Sequence, residues 1–85
     1  MNTHFALLAR FESPVINLND VCQEFFGITP KTARQKIKAL DFPVPTFTLI
    51  KSERAPIFMK VEDLASYIDK QYKQAALEWQ RVHKA

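Results

Sequence analysis

Apolar residues recur every third or fourth position along several stretches of the chain, and the pattern breaks at a glycine, at prolines and at short polar runs. Leu18, Val21, Cys22 and Phe25 share one helical face, with Asn19, Asp20, Gln23 and Glu24 on the other. This period predicts an amphipathic helix over Leu18 to Phe26. Asn17 stands just before it, where a side-chain oxygen can accept from an otherwise unpaired amide. Gly27, the only glycine of the chain, is predicted to take a left-handed backbone and end that helix. Thr29 and Pro30 then predict the start of another, one as cap and the other at the first helical position. From Pro30 to Leu40, Ala33, Ile37 and Leu40 form the apolar face. Lys31, Gln35 and Lys38 point away from it, flanked by Thr32 and Arg34. Two short helices across a tight glycine turn predict a helix-turn-helix.

Beyond Leu40 the pattern turns extended. Pro43 and Pro45 stop the helix, and Phe47 to Ile50 have the β-branched and aromatic content of a strand. After a polar stretch, Pro56 to Lys60 form a second strand-length run, so a β-hairpin is expected with Lys51 and Arg54 at its tip. From Val61 to His83 neither glycine nor proline interrupts, and Glu62 and Asp63 open the run while Arg81 and Lys84 close it, the signs a helix dipole favours. A helix of that length spans about 33 Å, more than so small a domain can cover. Val61, Ala65, Ile68, Tyr72, Ala75, Trp79 and Val82 form a heptad seam along it. The half bearing Tyr72, Ala75, Trp79 and Val82 needs a covering surface, either a second copy of the chain in a homodimer or the N-terminal segment. That segment, Thr3 to Phe11, alternates like a strand at Phe5, Leu7, Ala9 and Phe11, yet its Ala, Leu and Arg content tips it to a short helix. Val15 and Ile16 are expected as an extended entry to the next helix.

Charge sharpens this picture. Residues 28–60 hold seven basic and two acidic side chains, whereas the remainder holds five basic and seven acidic, so the formal net charge of +3 conceals a basic segment. Such a segment is the electrostatic footprint of a phosphate-facing surface. At 85 residues and 47% hydrophobic content, one domain with a small core is expected. Cys22 is the single cysteine; its phase assigns it to the core of a protein in a reducing compartment. His4 and His83 lie far apart without ligand partners, so neither a metal nor another cofactor is expected. No run approaches the roughly 20 apolar residues of a membrane span. The start MNTHFALLARF has no basic region ahead of its apolar run, so a signal peptide is not expected, and the chain reads as cytoplasmic.

With these pieces in order, the chain resembles the pyocin activator protein family, the PrtN-type regulators of prophage-like elements. The resemblance runs from NTHFALLARF through INLNDVCQEFF to KVEDLASYIDKQ, nearly all of the first 72 residues. The segment FPVPTFTLIKSERAPIFMKVEDLASYID is also similar to the wing and following helix of small prophage regulators and excisionases. The resemblance implies a transcription activator that binds double-stranded DNA at promoters of a prophage or pyocin-type cluster, with RNA polymerase as a further partner. The fold expected is α+β, a small winged helix-turn-helix with a two-stranded wing and a long C-terminal helix.

The residue roles follow from helical phase and donor chemistry. Arg34 and Gln35 carry the donors that pair with guanine and adenine edges, while Lys31, Lys36, Lys38, Lys51 and Arg54 suit phosphates. Thr29 and Thr32, near a helix N-terminus, suit a phosphate or a base. Tyr67 and Trp79 read as packing residues. An excisionase-type architectural factor would use the same fold and bend DNA, and a protein-only adaptor would use the Tyr-Trp helix to hold a partner. An enzyme is not expected: the chain has no glycine-rich phosphate loop and no Ser/His/Asp set, and is too short to enclose a substrate.

Overall fold

The computed structural model describes residues 2–83. In chain order the elements are α1 (Thr3–Phe11), β1 (Val15–Asn17), α2 (Leu18–Phe26), α3 (Pro30–Lys38), β2 (Phe58–Lys60) and α4 (Val61–Val82). The domain is α+β, with four helices, a two-stranded antiparallel sheet and a long last helix. Lys84, expected to close α4, lies outside the described residues.

The sheet is where the structure departs most from the expected hairpin. β2 pairs with β1, in the register Val15 with Lys60, Ile16 with Met59 and Asn17 with Phe58. Phe47 joins the other edge of β2 only as a single bridge, exchanging both backbone hydrogen bonds with Phe58 at 2.8 and 2.9 Å. Leu49 and Ile50, expected in a strand, are exposed in a bend instead. Pro45 and Pro56 bracket this arm and cannot donate to a ladder, and Ala55 closes a turn onto the Ser52 carbonyl at 3.2 Å. The extended entry at Val15 and Ile16 is therefore the strand that β2 uses.

Alternation along the sheet aims Ile16 and Met59 into the core, where they are 3% and 0% exposed. Around them pack Leu7 of α1, Leu18, Val21 and Cys22 of α2, Ala33 of α3, Val44, and Val61, Leu64 and Ala65 of α4. Cys22 is fully buried as a free thiol, as its phase required. An aromatic group seals one side: Phe26 lies 5.0 Å from Phe42 and 5.6 Å from Tyr67, ring centroid to centroid. Tyr67 is thus a packing residue.

The caps that open α2 and α3, and the turn that ends α2, are those the sequence predicts. The Asn2, Asn17 and Thr29 side chains each accept from amides in the first turn of α1, α2 and α3. Gly27 ends α2 at φ 67°, its amide 3.1 Å from the Gln23 carbonyl. α3 stops at Lys38, two residues short of Leu40, because Leu40 itself turns left-handed at φ 56°. There the Asp41 amide reaches back to the Lys36 carbonyl and the Leu40 amide to that of Ile37, the paired bonds of a Schellman ending with leucine in the place glycine usually holds. Leu40 consequently leaves the apolar face and is 94% exposed.

α1 runs antiparallel to the first half of α4. The Thr3 hydroxyl donates to Asp69 at 2.7 Å near one end, and the Val61 amide donates to the Pro14 carbonyl at 2.9 Å near the other. Arg10 holds α1 to α2 through an ion pair with Glu24, its guanidinium lying over the Phe11 and Phe25 rings. The rest of α4 projects. A folded chain of this length has a radius of gyration of about 12 Å, whereas this one measures 14.9 Å, with a longest extent of 55 Å.

Two stability measurements check this account. No atom lies within 4 Å of the place a Gly27 side chain would start, so substitution costs backbone strain alone. Gly27→Ala and Gly27→Val are each expected to lower unfolding free energy by about 1 kcal/mol or more, and Gly27→Asn by less, since asparagine tolerates this region. In the second, the hydrogen bond from Arg10 first, and its charge as well, hold the Glu24 carboxyl below its ordinary value of 4.5. A depressed carboxyl contributes stability that is full above its unfolded value and is lost as pH falls through the lowered folded value. Urea midpoints of Glu24→Gln should therefore fall less steeply than those of the unaltered chain as pH drops below 4.5; identical slopes would remove the pair from the stability account.

Candidate nucleic-acid interface

α3 is held by one small buried residue and offers most of its circumference to solvent. Ala33 is fully buried against α2 and Ile37 half-buried, so the opposite face carries Lys31, Arg34, Gln35 and Lys38, all exposed. Thr32 and Lys36 are half-buried on the flank. Thr29 is committed to the helix start: its hydroxyl oxygen accepts from the Thr32 amide at 3.2 Å, and the two hydroxyls are 3.1 Å apart. A threonine pair so engaged fixes the first turn of α3 and with it the direction of its outward face.

The basic residues separate into free and engaged groups. Lys36 leans toward the C-terminal end of α3, its ammonium 3.7 Å from Asp41. Lys60 is 3.5 Å from Glu62. Among the described residues, Lys31, Arg34, Lys38, Lys51 and Arg54 have no carboxylate within ion-pair distance. An exposed cation without a partner keeps its full attraction for an incoming phosphate.

Arg34 is steered rather than neutralised. Its guanidinium donates to the Asn19 side-chain oxygen at 3.3 Å, which draws it across the start of α2. A cleft there is lined by Asn17, Asn19, Arg34, Glu53, Arg54 and Ile57, among others. The structure therefore brings Arg34 of α3 and Arg54 of the 52–55 turn to one cleft, although they are far apart in sequence. Lys31, Gln35 and Lys38 share the neighbouring outward face, and Lys51 stands exposed in the bend before the turn. Asn19 and Glu53 carry no such signal in the sequence: one is a polar residue on the outer face of α2 and the other lies in the 52–55 turn, and neither points to a site until its neighbours are known.

The second group of predicted residues lies apart from this face. Tyr72, Ala75, Trp79 and Val82 follow one side of α4 and are all exposed. α1 occupies the Val61–Asp69 half, so the N-terminal segment does not cover the stripe. Among the described residues the Trp79 ring stacks only on that of His83, at 4.3 Å between ring centroids, in place of the packing expected of it.

Among the described residues no helix is long and apolar enough to cross a membrane. Comparisons with curated proteins and with solved structures return no match. The family model described as pyocin activator protein PrtN matches residues 3–75, which spans α1, the sheet, both helices of the turn motif and about the first two-thirds of α4. By that match the chain belongs to the pyocin activator protein family.

Proposed function

We propose that this chain is a sequence-specific double-stranded DNA-binding protein that activates transcription of pyocin-type or prophage-like genes in the cytoplasm, and that it has no enzymatic activity of its own. The observation that carries the reading is the outward face of α3, where Lys31, Arg34, Gln35 and Lys38 stand exposed with no carboxylate bound to them among the described residues. A helix of this kind fits the major groove of B-DNA, which is wide enough to admit it. On this reading the fold acts as a winged helix-turn-helix, with α3 as the recognition helix and the arm bearing Lys51 and Arg54 as the wing.

Each side chain then has a task set by its chemistry. Gln35 offers the paired donor and acceptor that match adenine, and Lys31 and Lys38 beside it hold phosphates on either side of the groove. Arg34, drawn toward Asn19 and Arg54, grips guanine at the groove edge, with Arg54 on the adjoining phosphate. Lys36 contributes less than the others, because Asp41 partly neutralises it. Family membership supports the direction of regulation, activation, and points to RNA polymerase as the partner that receives it.

The test is a set of binding isotherms over a range of salt on duplexes selected from random sequence. Lys31→Ala should weaken binding to every sequence alike and reduce the magnitude of the salt slope by about 1, whereas Gln35→Ala should cost about 1 to 3 kcal/mol at one base position. Uniform loss from both changes would sink this division of labour, and the lack of any salt-dependent affinity for DNA would leave a protein-only adaptor in its place.

A further inference from the structure

The C-terminal half of α4 carries an apolar stripe that the fold leaves open. Tyr72, Trp79 and Val82 are 72%, 61% and 78% exposed, on the same face that Val61, Ala65 and Ile68 turn to the core further up the helix. Soluble proteins of this size usually cover such a stripe. Between the two aromatics lies a hollow lined by Tyr72, Ala75, Ala76, Trp79 and Gln80, with alanines for a floor and aromatic rings for walls.

We infer that this stripe pairs with the same stripe of a second copy, the two helices antiparallel, each Trp79 entering the other copy's hollow. The seam itself favours that arrangement. Antiparallel pairing of heptad positions sets Tyr72 against Val82 and Ala75 against Trp79, and the two-fold axis repeats both layers, so a large residue meets a small one throughout. Parallel pairing would set tryptophan on tryptophan and alanine on alanine, a clash beside a void. It would also drive both domains into the gap between the helices, because from Val61 to Ile68 the same face is filled by the chain's own core. Antiparallel helices carry the two domains to opposite ends instead. On the flanks Asp69 comes toward the opposing His83, and Glu78 toward its symmetry mate, where solvent screens the repulsion.

The rings and methyls of the stripe supply about 500 Å² from each copy, about 1,000 Å² in all, the lower end for a specific interface. An interface this small calls for a weak, reversible dimer. The two-fold axis falls near residue 77, and each domain sits on α4 around Ala65. At 1.5 Å per residue the domains are then about 36 Å apart along the helix axis, close to one turn of B-DNA, about 34–36 Å. That last match alone rests on the DNA-binding reading, and it calls for inverted half-sites about one turn apart.

Sedimentation equilibrium of the full chain without DNA, from about 1 to about 200 micromolar, should show a monomer–dimer equilibrium. Trp79→Ala should weaken the dimer by about tenfold or more, while Leu77→Ala, at an exposed residue on the opposite side of α4, should leave it unchanged. In a mixed isotope-labelled sample, intermolecular contacts should join the Trp79 indole to the Ala75 methyl, and the Tyr72 ring to the Val82 methyls. A chain that stays monomeric across the range, equal losses from the two variants, or contacts from Trp79 to Trp79 would overturn the inference. A dimer of this form that ignores DNA would refute the DNA reading and leave the pairing intact.

Discussion

The antiparallel pairing of β1 with β2 is the constraint on which the rest of the molecule depends. Each strand runs into a helix with no residue between: Asn17 is followed by Leu18 of α2, and Lys60 by Val61 of α4. Locking Ile16 to Met59 in the core therefore fixes the starting points of α2 and α4 together. Leu18 and Val61, the first residue of each helix, are accordingly 1% and 0% exposed. The Leu18 amide completes the joint by donating to the Ile57 carbonyl at 2.8 Å.

From that joint the functional geometry follows in two directions. α2 carries the chain to Gly27, whose left-handed backbone turns it at once into α3, and the cap at Thr29 fixes how α3 presents Lys31, Gln35 and Lys38. β2 anchors the arm that returns through Phe47 and sets Arg54 beside Arg34 at the start of α2. α4 leaves the other end of β2, gives its first half to α1 and the core, and extends the remainder beyond them. One short sheet thus separates a basic face from an apolar one. On the readings proposed above, α3 meets a duplex while the far half of α4 pairs with a second copy, and the separation keeps the two contacts from colliding.

Local features were legible in the sequence, and non-local ones were not. Asn17, Gly27, Thr29 and Pro30 act on the backbone within a few residues of themselves, so their caps and turns could be read directly, and α2 ends where the periodicity ends. The partner of β2 could not be read that way. Three residues, Val15 to Asn17, are too few to show alternation, and the strand they pair with lies far along the chain. Phe47 to Ile50 have strand composition, yet only Phe47 bonds to β2. Leu40 turns left-handed without the glycine that would have announced it. At the site, helical phase identified the outward residues of α3, but the convergence of Arg34, Asn19 and Arg54 depends on tertiary placement. The exposed stripe was visible as a seam too long for the domain. That α1 would stop short of it required the Thr3 to Asp69 contact.

The central claim is that α3, not the long helix, meets DNA. Amide chemical-shift mapping of the labelled chain against a duplex at low salt tests it most directly, because every element reports at once. The account predicts perturbations concentrated in Pro30–Lys38 of α3, in the start of α2 around Asn19, and in the 51–55 arm, fading as salt rises, with Tyr72 to Val82 unmoved by the DNA. Perturbations centred on the Tyr72 to Val82 stripe, or none anywhere along α3, would contradict it.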